Sequence, residues 1–294
     1  MLGSAILKEL SQNKNNKIYA TSRSKTKINS NINWTCFDIT NSLDLDSWLL
    51  NSNLDALIHC AASVDVDKCE KNKIFVNKLH IGSTKIISSY MRNNNKKLIY
   101  ISSDSVFDGK KKSPYFETDT PKPLNYYAET KHIGEELALS VNDGIILRTN
   151  IIGWGTGGKI SFFEWLLSGL INRKDLNLFD DVFFSPLDVV DCSKIIASLL
   201  DSDLSGIYNC ASNNFVSKYE FGLKTAQLFN IQKHKIKKVS VDDMNFKAKR
   251  PKNMSLNTEK LKIDLKYNLP SYEDAILSLK KQYEEEPSLK SKII

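Results

Sequence analysis

Tyr127 and Lys131 stand four residues apart in Tyr127-Ala128-Glu129-Thr130-Lys131. On a helix, residues i and i+4 share a face, so this phenol and this ammonium can reach one pocket. A cation beside a phenol lowers its pKa and readies it for proton transfer near neutral pH. Alone the pair is a weak signal: with 11 tyrosines and abundant lysine, about one such pair arises by chance. A surface Tyr/Lys pair is the plain alternative. Upstream, Leu98-Ile99-Tyr100-Ile101 reads as a strand that ends in Ser102-Ser103-Asp104-Ser105. Hydroxyls at the carboxyl end of a parallel strand point into the crevice where such sheets bind ligands. Ser103 can there hydrogen-bond a substrate oxygen beside the phenol. A polar strand end that caps a turn is the other reading.

These residues need a scaffold, and the chain predicts one. Short β-branched runs at 17–21, 34–37, 56–60, 98–101 and 145–148 read as strands. Helical patterns near 2–13, 41–51, 70–92 and 125–141 lie between them. Alternating strands and helices mean parallel pairing with right-handed crossovers, hence an α/β fold with a doubly wound parallel sheet. After about residue 150 the regularity loosens. Gly153-Trp154-Gly155-Thr156-Gly157-Gly158 signals a loop. A helix near 161–172, irregular segments, a strand at 206–210 and helices near 217–229 and 271–285 follow. This reads as a smaller C-terminal lobe on the sheet's carboxyl edge. The expected division is 1–150 plus about 187–209 for the sheet domain, and about 151–186 plus 210–294 for the lobe.

Composition narrows the function. The net charge of +7 is carried almost wholly by lysine. The basic runs, Lys110-Lys111-Lys112 and Lys233-His234-Lys235, fall in expected loops with acidic residues spread elsewhere, which argues against nucleic acid. No apolar run is long enough for a membrane span, and the start does not read as a signal peptide, so the cytoplasm is the expected address. The five cysteines fit no zinc spacing and the four histidines are isolated, so no metal ligands are assigned.

Ser103, Tyr127 and Lys131 together resemble the Ser/Thr–Tyr–Lys triad of the short-chain dehydrogenase/reductases. SSDSVFDG from Ser102, then Pro114-Tyr115-Phe116-Glu117, Pro121, Pro123 and YAETKHIGE, resemble the extended subgroup that contains dTDP-4-dehydrorhamnose reductase. Its pattern runs roughly STDYVFDG, PYxE, Pro, YGxSKxxGE. Ala61-Ala62 with Val66-Asp67-Lys68-Cys69-Glu70 resembles the family's AAxTxVDKAE. Ser217-Lys218-Tyr219-Glu220-Phe221 resembles its SxYEF helix start, and Arg250-Pro251-Lys252-Asn253 its RPxN. The matches run in order from Leu2 to about residue 285.

The resemblance implies a Rossmann-like, NAD(P)-binding sheet and a substrate-binding lobe. Met1-Leu2-Gly3 falls on the last three positions of the family's GxxGxLG loop, which places Leu2 and Gly3 at the pyrophosphate. The family's first strand and first two glycines have no counterpart in this sequence. The expectation is that the biological start lies upstream. The rival is a chain that has lost the strand and, with it, tight cofactor binding. Arg23, followed by Ser24 and Lys25, sits where an arginine suits the 2′-phosphate of NADP; a solvated basic loop is the alternative. Asp38 and Ile39 fall where relatives contact adenine, and Cys60-Ala61-Ala62 forms the small-residue turn beneath the cofactor. Asn77 aligns with an asparagine that relatives use to shape the site.

The implied reaction is NADPH-dependent reduction of a keto group on a nucleotide-linked deoxysugar. Tyr127 would give the proton, Lys131 would lower its pKa and hold the nicotinamide ribose, and Ser103 would orient the carbonyl. Substrate positions are Val64, Val66, Asp104, Ser105, Ile151, Arg250 and Asn253. Two of them depart from the family: Ser105 replaces a tyrosine and Ile151 a tryptophan. The sugar and its nucleotide carrier therefore stay open. So do two other roles of the fold: a non-catalytic subunit, as in the methionine adenosyltransferase regulatory subunit, and an epimerase or dehydratase. A homodimer is the assembly the resemblance suggests.

Overall fold

The computed structural model describes residues 1–24, 32–155, 160–232 and 235–293. Lys25, residues 156–158 of the glycine-rich loop, and Lys233-His234 of the second basic run lie outside the described residues. The first half runs α1 (Leu2–Leu10), β1 (Ile18–Ser22), β2 (Ile32–Cys36), α2 (Ser42–Ser52), β3 (Ala56–His59), α3 (Val66–Lys71), α4 (Lys73–Val76), α5 (Ser83–Asn93), β4 (Lys97–Ile101), α6 (Tyr126–Leu139) and β5 (Gly144–Thr149). The second half runs β6 (Ile151–Ile152), α7 (Phe162–Ile171), β7 (Leu176–Phe179), β8 (Phe183–Phe184), β9 (Leu187–Asp188), α8 (Val189–Leu200) and β10 (Gly206–Cys210). It closes with β11 (Val216–Ser217), α9 (Lys218–Leu228), β12 (Ile236–Val239), α10 (Glu259–Leu265), α11 (Tyr272–Glu285) and α12 (Pro287–Ile293).

β3, β4, β5 and β10 pair in parallel as a four-stranded sheet in the order β10-β5-β4-β3. β4 and β5 are apolar almost throughout because helices cover both faces. On one face Ile6 of α1 and Cys192, Ile195, Ile196 and Leu199 of α8 pack on Ile99, Ile145 and Leu147. On the other, Leu45 and Leu49 of α2, Ile87 and Met91 of α5, and Ala138 of α6 pack on Leu57, Leu98 and Ile146. The fold is the expected doubly wound α/β arrangement. α8 lies in a stretch the sequence reading leaves irregular, although Val189, Cys192, Ile195, Ile196 and Leu199 recur at helical spacing. Each buried aliphatic side chain there stabilises the fold by about 2 kcal/mol. α7, α9, α11 and α12 build a separate apolar core around Phe163, Leu166, Phe184 and Phe221. By contrast, Leu261 of α10 packs with the sheet's own core.

Two departures matter. The helix expected near 70–92 is interrupted. Asn72 ends α3 and caps α4, its side chain accepting from the Phe75 N–H at 3.3 Å. Asn77–Gly82 then forms a π-helical turn before α5. A π turn holds one more residue than an α turn and rotates the faces that follow. The second departure is in the sheet. β1 and β2 pair in parallel only with each other. Tyr19 of β1 packs on the same apolar layer as Leu57 of β3. Yet among the described residues no backbone hydrogen bond joins those two strands. Unpaired strand edges exchange with solvent more readily than edges inside a ladder. Amide hydrogen exchange is therefore expected to be faster in β1 and β3 than in β4 and β5. Equal protection in all four strands would contradict an open edge.

Candidate active site

Ser103 follows β4 directly. It caps a short turn over Asp104–Val106, its hydroxyl accepting from the Ser105 N–H at 3.2 Å and donating to Asp104 Oδ1 at 3.1 Å. Asp104 is buried and also accepts from Asn150 Nδ2 at 2.6 Å and Ser105 Oγ at 3.3 Å. Asn125 starts α6 by accepting from the Ala128 N–H at 2.9 Å. Tyr127, Lys131 and Glu135 then recur every four residues on the buried face. Glu135 receives Arg148 Nε at 2.9 Å and Nη2 at 2.8 Å, and Ser102 Oγ at 2.6 Å. α6 is thereby fixed to β5 and to the end of β4. Gly134 lets the helix approach closely: a Cβ there would lie 2.1 Å from the Tyr100 hydroxyl.

This fastening brings the three expected catalytic residues together. The Ser103 hydroxyl lies against the Tyr127 phenol, where it favours the phenolate. Burial outweighs that effect and pushes the Tyr127 pKa up to about 12. The shift runs upward, against the lowering expected from Lys131. The Lys131 ammonium sits 4.0 Å from the Tyr100 ring centroid, and burial brings its own pKa down to about 7. The phenol is thus a protonated acid at neutral pH.

Other expected residues gather at the carboxyl ends of the strands. Cys60 lies at the end of β3, close enough to the Met1 amino group to feel its charge, so the start of α1 faces the Cys60-Ala61-Ala62 turn. Leu2 and Gly3 form the first turn of α1, and a Cβ on Gly3 would meet open space. Arg23 is exposed after β1 and acts on Asp38 after β2. The Asp38 carboxylate accepts from the Thr40 N–H and hydroxyl, which holds its pKa below the usual range. Ile39 is half-buried against the α2 core, and Ile151 packs beside β5. Val64 is exposed, and Val66 packs on the cluster that contains Tyr127.

Three residues fall elsewhere. Asn77, the first residue of the π turn, is exposed, whereas His80 within the turn is buried. Asn253 spends its amide on the loop before Tyr115 and on its own segment. It donates to the Lys111 and Ser113 carbonyls and accepts from Ser255. Arg250 pairs with Asp67 of α3 at 2.9 Å, so it ties the lobe to the sheet domain. Surface hollows of about 450 Å³ beside Tyr115 and about 360 Å³ beside α9 are lined by none of the triad.

His80 is the residue the sequence reading misses. Its Nε2 accepts from the Ser63 N–H at 2.8 Å, so Nδ1 carries the proton and faces Thr130 Oγ1 at 2.8 Å. Its ring meets that of Tyr127 edge-on at 5.9 Å. It thereby fixes the 61–64 loop to α6. His59, beneath Tyr100, faces Thr84 Oγ1 at 3.0 Å.

The residues 1–285 match the family model described as the RmlD substrate binding domain. The chain belongs to that family. It is 27% identical to dTDP-4-dehydrorhamnose reductase of Escherichia coli (strain K12) over 249 residues, covering 81% of this chain and 83% of that protein. It is 30% identical to methionine adenosyltransferase 2 subunit beta of Rattus norvegicus over 224 residues, 70% of this chain and 63% of that one. In fold it matches dTDP-4-dehydrorhamnose reductase from Bacillus anthracis in complex with NADP. The TM-score is 0.80 at 24% identity, covering 90% of this chain and 98% of that chain. Among its relatives are sugar-nucleotide reductases.

Burial lowers both His59 and His80 to about 3, helped by the nearby Lys131 charge. Both are neutral in the folded chain and take up protons when it unfolds, with an unfolded pKa of about 6.5. Their contribution is whole above that value and is lost as pH falls toward 3. His132, raised by Glu135, acts in the opposite sense, so a variant carries the test. The stability gap between the wild type and His80→Gln, read by urea denaturation, is expected to narrow by about 2 kcal/mol from pH 6.5 to 5. A gap independent of pH would contradict a neutral buried His80.

Proposed function

We propose that this chain is an NADPH-dependent reductase of a 4-keto-6-deoxy nucleotide sugar, acting in the biosynthesis of activated deoxysugars for surface polysaccharides. The observation that carries this reading is the meeting of Ser103 and the protonated Tyr127 at the carboxyl ends of β3 to β5, with Lys131 one turn on. The residues present suit a nicotinamide cofactor. Gly3 leaves open space at the start of α1, Ala61 and Ala62 are small, and the exposed Arg23 suits a 2′-phosphate. When bound, NADPH supplies the hydride.

Ser103 orients the sugar carbonyl by donating a hydrogen bond. Tyr127 gives its proton to that oxygen as the carbon is reduced. A phenol that holds its proton at neutral pH can serve as the acid that reduction needs. Lys131 holds the nicotinamide ribose and steadies the phenolate left behind. Ser105, Ile151, Val64 and Val66 line the sugar side. Ser105 and Ile151 replace the family's tyrosine and tryptophan, so the sugar accepted differs in how it is held. The likeness to the methionine adenosyltransferase subunit favours a second reading, a binding subunit that shows no turnover.

Tyr127→Phe removes one hydroxyl and keeps the ring. It is expected to lower NADPH oxidation with dTDP-4-dehydrorhamnose at least 1,000-fold, of the order that loss of an essential acid costs. NADPH affinity is expected to stay within a factor of about three. Retained turnover would sink the catalytic assignment. Absence of turnover in the wild type, with NADPH still bound, would favour the binding subunit.

A further inference from the structure

Asn150 has no part in the scheme above, yet its amide reaches the turn that carries Ser103. It stands between β5 and β6, half-buried, and its backbone carbonyl accepts from the Leu187 N–H of β9 at 2.9 Å. Its side chain donates from Nδ2 to Asp104 Oδ2 at 2.6 Å, across 46 residues of chain. The other oxygen of that carboxyl, Oδ1, accepts from the Ser103 hydroxyl at 3.1 Å and from the Ser105 hydroxyl at 3.3 Å. Asp104 is 2% exposed, so these three bonds stand in for the water that a carboxylate needs. Of the three, only the Asn150 bond comes from outside the turn.

We propose that Asn150 is a positioning residue of the active site: by holding Asp104 from the β5 side, it fixes the Ser103 hydroxyl at the place where the sugar carbonyl docks. The proposal rests on the reductase reading. Ser103 carries one proton, and that proton lies on Asp104 Oδ1. Its oxygen accepts from the Ser105 N–H at 3.2 Å. When a carbonyl enters, the hydroxyl rotates and turns its proton from Asp104 to the sugar oxygen, while the Ser105 N–H keeps Oγ in place. Without the Asn150 amide, Oδ2 is a bare buried acceptor. The carboxyl must then swing to another partner or take up a proton. Either change disturbs what Ser103 and Ser105 donate to.

The surroundings of Asp104 make that hold necessary. Burial raises its pKa, and the bonds from Asn150, Ser103 and Ser105 act against the rise. Lys218 of α9 acts on it from the lobe and favours the carboxylate, and the Tyr127 phenol of α6 feels its charge. Asn150→Asp keeps the shape of the side chain but exchanges the donor for a second carboxyl. Two carboxyls in that contact share one proton at low pH and repel when both ionise. The substitution therefore separates the donor from the volume it occupies.

The test is NADPH oxidation by the full chain with dTDP-4-dehydrorhamnose from pH 6 to 8. Asn150→Leu is expected to lower kcat/KM about 10-fold or more, as loss of a hydrogen bond to a charged group does. NADPH affinity, read by fluorescence titration, is expected to stay within a factor of about three. Asn150→Asp is expected to lose as much at pH 8 and to recover toward pH 6, where a shared proton restores the donor. With Ser103→Ala already in place, Asn150→Leu is expected to cost less than about 3-fold more, since the two residues act in series. Unchanged kcat/KM in Asn150→Leu, a pH profile of Asn150→Asp parallel to that of the wild type, or losses that multiply in the double variant would each overturn the proposal. Urea denaturation reads the contact apart from activity. The midpoint of Asn150→Asp is expected to fall further below that of the wild type as pH rises from 6 to 8, because the second carboxyl ionises less readily in the folded chain than in the unfolded one. A constant gap overturns the hold on Asp104. A widening gap in a protein whose wild type oxidises no NADPH would instead remove the reductase reading, and the positioning role with it.

Discussion

A bidentate ion pair with no access to water holds this molecule's chemistry in place. Arg148 of β5 and Glu135 of α6 are each about 1% exposed. The carboxylate takes two guanidinium hydrogen bonds and one from Ser102. Arg148 also donates to the Glu117 carbonyl. Removing one member of such a pair leaves a bare charge in the interior and costs about 3–5 kcal/mol. The geometry explains why the arrangement tolerates that hazard. Glu135 lies two helical turns beyond Tyr127 on the same face, and Ser102 is the immediate neighbour of Ser103. One pair thus sets the phase and height of α6 against the strand end that carries the hydroxyl.

The lobe is fastened by a different set of contacts. The segment around Arg250 reaches across to the sheet domain. Ala248 N–H and the Arg250 guanidinium both go to Asp67, and the Lys249 carbonyl accepts from Asn125, the cap of α6. The same segment supports β8, where the Phe183 N–H donates to the Lys252 carbonyl. The RPxN stretch is therefore architecture in this chain, and Asn253 is spent on it. Asn125 thus both caps α6 and bonds this segment.

The sequence makes parts of this legible and hides others for physical reasons. Tyr127 and Lys131 are visible because α6 is an unbroken helix, whose period brings i and i+4 together. Ser103 is visible because a strand end in a parallel sheet faces the crevice. The exposure of Asn77 at the start of the π turn is not visible in the sequence, where 70–92 reads as one continuous helix. His80 leaves no local signal: its partners Ser63 and Thr130 are 17 and 50 residues away. The Tyr127 pKa could not be read from spacing either, because burial acts more strongly on it than any cation.

Fluorescence titration of the full chain with NADPH and then NADH tests most directly whether this fold forms a nicotinamide site. The account expects saturable binding with a clear preference for NADPH, lost on Arg23→Ala. A cooperatively folded chain that binds neither would contradict it and leave the Ser103–Tyr127–Lys131 cluster without its hydride donor.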